Sequence, residues 1–229
     1  MNKKWILPAI LAAVILLAVF FWHQKKNAPA EKETTEKSSE TVTESMEETA
    51  PPLPDAMLYY GEILEIERDE KGLPVQLFMD SQRSGEYVMN LGDPTCYVDS
   101  GERKAFDPSI LQVGDRVYVY HSPIAAMSLP PQSPAFVILR NIPMDAGCGM
   151  YYQVEAIRQE EDQYLITTDN GKKTLGADEN TQVFSYHGDV MQISDLQEGD
   201  TVIAWYWDRG ETVLHPSHLM VLPSRQSDQ

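Results

Sequence analysis

One fragment occurs twice and constrains the fold of this chain more than anything else in it. Ile110-Leu111-Gln112-Val113-Gly114-Asp115-Arg116-Val117-Tyr118-Val119-Tyr120 returns as Asp195-Leu196-Gln197-Glu198-Gly199-Asp200-Thr201-Val202-Ile203-Ala204-Trp205. Each copy reads as a short helical turn, a Gly with permissive φ, a tight Gly-Asp turn and a strand whose side chains alternate between two faces. A chain that repeats such a segment is built from two units, and each unit is rich in strands.

The surroundings repeat as well. A tyrosine pair opens each copy, Tyr59-Tyr60 and Tyr151-Tyr152, and an alternating strand follows it. A second strand runs from Val75 to Met79 in one copy and from Gln163 to Thr168 in the other. The latter ends at Asp169-Asn170-Gly171, a strong hairpin signal of the type I′ kind. Third strands fall at Glu86 to Leu91 and Lys172 to Leu175, short ones near Cys96 and Val183, and last ones at Ala135 to Leu139 and His218 to Leu222. Five or so strands in roughly 80 residues suit a small OB-like or SH3-like barrel. The predicted fold is all-β, with two tandem barrels over residues 55–143 and 144–229 of the 229.

The N-terminal part reads differently. From Trp5 to Trp22 no residue is charged, a run of roughly 27 Å as a helix at about 1.5 Å per residue, which spans a bilayer core. Residues 1–27 are therefore expected to be a single-pass signal-anchor, and the short N-terminal tail leaves everything after it outside the cytoplasm. Ala28-Pro29-Ala30 supports the alternative of a cleaved signal peptide and a secreted product. Residues 28–54 are strongly acidic and almost without apolar side chains, as expected of a disordered linker, and Pro51-Pro52-Leu53-Pro54 stiffens its end.

A formal charge of −17 argues against a nucleic-acid partner, because phosphate binding draws on Lys and Arg. The two cysteines, Cys96 and Cys148, exclude a four-cysteine zinc site; one disulfide is allowed, the alternative being two buried thiols.

The segment Met127-Ser128-Leu129-Pro130-Pro131-Gln132-Ser133-Pro134-Ala135, together with L-x-x-G-D-x-V, resembles uncharacterised exported proteins of Firmicutes that carry such β units. Some of those stand beside copper-amine-oxidase-type N-terminal domains. Many carry a Thr-Arg-Ser or similar triplet before the prolines where this chain has Met127-Ser128, so the role of that arginine does not transfer. The resemblance implies an exported, repeated β protein and no activity.

Candidate binding residues follow from two features. The stretch from Ser122 to Pro134 has four prolines and no charge, and the second copy lacks it. It can preform a groove rim, with Pro130 and Pro131 holding the shape and Gln132 and Ser133 as polar contacts, or it can shield a barrel edge. The second feature is the aromatic face of the Gly-Asp strand: Tyr118 and Tyr120 in the first copy, Trp205 and Trp207 in the second. That face either stacks sugars or buries against the neighbouring copy, while the Val face fills the barrel. His215 and His218, with the methionines, are a weaker candidate for metal. No nucleophile motif, P-loop or dinucleotide fingerprint is present. The expected function is that of a membrane-anchored, non-catalytic binding module without cofactor, its partner a wall polymer or another exported protein. A metal-handling protein and a cryptic cell-wall hydrolase are the alternatives.

Overall fold

The computed structural model describes residues 52–143, 148–207 and 210–224. The predicted anchor and most of the acidic linker lie outside these residues, and no helix among the described residues is long and apolar enough to cross a membrane. Strands β1 (Met57–Arg68), β2 (Pro74–Ser81), β3 (Gly85–Asn90), β4 (Cys96–Asp99), β5 (Lys104–Ala105), β6 (Arg116–His121) and β7 (Gln132–Arg140) form the first copy. The second copy contains β8 (Met150–Gln153), β9 (Ala156–Glu160), β10 (Gln163–Thr168), β11 (Lys173–Ala177), β12 (Gln182–Ser185), β13 (Val190–Met191), β14 (Thr201–Trp205), β15 (Val213–Leu214) and β16 (His218–Val221). The fold is all-β.

In the first copy the order is β3-β2-β1-β6-β7, and a parallel pairing of β3 with β7 closes it into a barrel. Strand β7 is long enough to serve two neighbours on one edge, β3 along its first half and β4 along its second, both parallel. The second copy repeats this order with its two long strands interrupted. β8 and β9 together take the place of β1, and β15 and β16 that of β7, with β15 parallel to β11 and β16 parallel to β12.

The repeated Gly-Asp fragment is explained atom by atom. A 3₁₀ turn at Pro108–Ile110 ends where Leu111 N–H donates to the Pro108 carbonyl at 3.2 Å; Leu196 does the same to Ile193 at 3.1 Å. The carboxylates of Asp115 and Asp200 accept from the backbone N–H of Gln112 and Gln197, at 2.9 and 2.8 Å. Gly114 and Gly199 have φ of +93° and +91°, a region that side chains disfavour. Their N–H groups donate at 2.8 Å to Ile63 and Val154, where the first strand bulges in one copy and breaks in the other. The motif is thus a staple between the turn and the first strand.

Each copy has its own core. Val117, Val119, Leu77, Met79, Ile63 and Ile138 belong to the first; Val202, Ala204, Ile166, Leu175, Val154 and Leu219 belong to the second. A third core lies between the copies and joins Cys96, Val98, Tyr120, Val137 and Leu139 to Tyr151, Ile203, Trp205, Met220 and Leu222. The same outer sheet face of each copy supplies it, from β4-β7-β6 and from β12-β16-β14.

Candidate functional site

The predicted site residues separate sharply by exposure. Trp205 is 1% exposed; its indole N–H donates to Ser100 Oγ at 2.9 Å across the two copies and its ring stacks on Phe184. Tyr120 is also buried: its hydroxyl donates to the Gly149 carbonyl at 3.2 Å and its ring stacks on Tyr151. Neither side chain can reach a ligand without opening the core between the copies. Alternation told the two faces apart correctly, and the neighbouring copy covers most of the aromatic one. Gly149 belongs to that contact, since a Cβ there would stand 2.5 Å from Ile203 Cγ2. Both cysteines pack against the same core and neither forms a disulfide; burial pushes the thiol of Cys148 up to about 12.

Ser133 is fully buried and ties the proline-rich loop down. Its hydroxyl donates to the Ser122 carbonyl at 2.9 Å and lies 3.1 Å from His121 Nδ1. Ala126 N–H donates to the Gln132 carbonyl, and Ser128 Oγ donates to the Pro130 carbonyl at 2.7 Å. Pro130, Pro131 and Gln132 are half-buried, whereas Ile124, Met127 and Leu129 stand exposed on the loop. The loop is ordered by hydrogen bonds as well as by proline.

Buried His121, against Tyr87, closes the base of this loop. Burial holds its pKa below the ordinary value, so the unfolded chain binds this proton more readily than the folded one. Its contribution to stability is therefore whole above about pH 6.5 and is lost as the pH falls from there toward the folded value. His218 is shifted the same way, by burial first and by Arg103 second. We expect the melting temperature to drop between pH 7 and 5.5, and His121→Gln to flatten that drop; equal slopes for the two proteins would show that His121 takes up its proton equally readily in the folded and the unfolded chain.

His215 is exposed and His218 half-buried, with its Nδ1 2.9 Å from Ser217 Oγ. Among the described residues no group of three or more His, Cys, Asp and Glu side chains is placed to hold a metal.

What the structure brings together instead is a cleft at the far end of the β1–β6 ladder. Met57 pairs with His121 beside the proline-rich loop, and Glu62 pairs with Arg116 at the other end, roughly 16 Å away at about 3.3 Å per residue. The loop is therefore no rim of this cleft. A cavity of about 300 Å³ is lined there by Tyr60, Glu62, Asp80, Gln82, Arg83 and Arg116, among others. Tyr60 is 44% exposed, and its ring lies on that of Tyr118 with centroids 4.4 Å apart. Arg116 donates to Glu62 through Nε and Nη2, at 3.2 and 3.1 Å. Of the predicted aromatic residues, Tyr118 meets the cleft only through the ring of Tyr60, and Trp207 is 59% exposed on the second copy. Sequence reasoning noted Tyr60 only as a strand opener; its pairing opposite Tyr118 follows from the β1–β6 register.

No family model matches the chain, and no curated protein matches it. Among solved structures it is similar to one described as Drosophila Unr CSD456, at 13% identity and a TM-score of 0.23, over 77% of this chain and 66% of that one. A likeness at that score supports no assignment of activity. The exclusion of nucleic acid, made from net charge alone, is withdrawn. Its physical weakness is that net charge averages over the whole chain, acidic linker included, whereas binding is decided by the charges at one surface.

Proposed function

We propose that this protein is a membrane-anchored, extracytoplasmic binding module built of two OB-like barrels, and that it holds the glycan strand of a wall polymer in the Tyr60 cleft. The strand order β1-β2-β3-β7-β6, closed by a parallel β3–β7 pair, supports the OB-like reading, and such barrels serve oligosaccharides among other ligands. The observation that carries the ligand class is the half-exposed Tyr60 ring, backed by Tyr118 and bordered by two arginines and two carboxylates. A sugar ring offers an apolar face to a tyrosine and hydroxyls to groups of both signs. Local charge in the cleft is balanced, as suits a polyol better than an ion.

Co-sedimentation of the full-length protein with isolated cell wall tests this reading. Tyr60→Ala is expected to weaken binding at least tenfold, about 1.4 kcal/mol, and Trp207→Ala to leave it unchanged. Undiminished binding by Tyr60→Ala, or displacement of the wall by a single-stranded oligonucleotide, would sink the proposal.

A further inference from the structure

The proline-rich loop turns apolar side chains outward over a backbone that is largely paired within the fold. Met127 and Leu129 are wholly exposed and Ile124 is 70% exposed, in a stretch from Ser122 to Pro134 that carries no charge although the chain as a whole has −17. Ala126 N–H donates to the Gln132 carbonyl at 2.8 Å, Ser128 N–H to the Ala126 carbonyl at 2.9 Å, and Val88 N–H to the Pro131 carbonyl at 2.9 Å. The Pro130 carbonyl accepts from Ser128 Oγ, and Pro130 and Pro131 bring no N–H of their own. This combination is what a loop needs in order to enter an apolar phase, where an unpaired N–H or C=O is costly. In water the same side chains are a liability. Closing the barrel does not call for them, because Ser133 and the β3–β7 pairing do that without Ile124, Met127 or Leu129.

We propose, building on the membrane anchor proposed above, that Ile124, Met127 and Leu129 at the tip of this loop dip into the boundary between headgroups and acyl chains of the bilayer that holds the chain. The position of the loop identifies the bilayer as its partner. The chain enters the fold at β1, whose first residue, Met57, pairs with His121 immediately before the loop, and Met57 and Leu58 are themselves half-exposed. The linker over residues 28–54, taken as a coil of about 5–6 Å × √n, covers on the order of 30 Å. An anchor therefore keeps this end of the first copy nearer to the bilayer than the opposite end. The Tyr60 cleft, at that opposite end of the β1–β6 ladder, then faces away from the membrane and toward the wall.

The test uses the full-length protein in phosphatidylcholine nanodiscs, with a fluorophore on Met127→Cys and, as control, on Val113→Cys, an exposed site at the far end of the same ladder. Cys148→Ser removes the native thiol that is not fully buried. A nitroxide-bearing lipid is expected to quench the label at 127 and to spare that at 113, and aqueous iodide to do the reverse. Ile124→Asp combined with Leu129→Asp should abolish the lipid quenching at 127 and leave the melting temperature nearly unchanged, since both sites are exposed. A protein that fails to enter the nanodiscs would overturn the anchor and this inference together. Three results would overturn this inference alone, in protein that does enter: a label at 127 quenched by iodide and not by lipid, a label shielded from both as a second copy or a protein partner would shield it, or lipid quenching that persists in the double aspartate variant.

Discussion

Trp205→Ala is expected to destabilise the folded part by about 3–5 kcal/mol, the usual range for removing a buried tryptophan. For a folded part of this size that lowers the melting temperature by roughly 6–20 °C. The cause lies at the contact between the copies: the ring is 1% exposed, stacks on Phe184 and bonds through its N–H to Ser100 Oγ, itself fully buried. Truncation leaves a cavity facing Gly149 and leaves Ser100 without one of its two partners, since Gly149 N–H still reaches that hydroxyl at 3.3 Å. Trp207→Ala, two residues on and 59% exposed, is the control and should change stability by no more than about 0.5 kcal/mol. Thermal and urea unfolding followed by circular dichroism decide the matter. Similar shifts for the two variants would mean that the third core contributes little.

The same core bears on why a duplicated unit is held as one body. A barrel of some 80 residues that buried only its own interior would leave an apolar sheet face in water, which soluble monomers avoid beyond a few hundred Å². Here each copy covers the other's face. Two hydrogen bonds from Tyr186 fix the alignment: its hydroxyl accepts from Tyr97 N–H at 3.0 Å and donates to the Tyr97 carbonyl at 3.3 Å. The two faces correspond in the repeat but their contacts are not reciprocal: Trp205 reaches Ser100, while its counterpart Tyr120 reaches Gly149 and Tyr151.

Much of this architecture is legible in the residues. Alternation at Val117-Tyr118-Val119-Tyr120 separates core from outer face, and Leu111, Gly114 and Asp115 each take the place their chemistry suggests. What alternation cannot tell is what covers an outer face. Tyr118, Tyr120, Trp205 and Trp207 look alike as a platform, yet Tyr120 and Trp205 are core and Trp207 is exposed. Ser133 reads as a ligand contact because it follows prolines and a glutamine; its burial depends on Ser122 and His121, brought to it by the β6–β7 pairing. The Tyr60 cleft is nonlocal, made by strand register across 54 positions, as in the Glu62–Arg116 pair.

Leu111→Ala and Leu196→Ala are the sharpest test that the two copies share one design. Each leucine follows a 3₁₀ turn, directs its N–H back into that turn and buries its side chain in the core of its own copy, at 1% and 5% exposure. Each truncation should cost about 2–5 kcal/mol, as for other leucines removed from well-packed interiors. Their neighbours Ile110 and Val113 are 42% and 64% exposed, and alanine there should be nearly neutral. Because the two leucines belong to different cores, the double variant should show the sum of the single effects to within about 0.5 kcal/mol. If the copies unfold as one unit, every variant will move the midpoint of a single urea transition at constant slope. Two transitions in either single variant would instead show that the damaged barrel can open while the other, with the face it presents to the third core, stays folded.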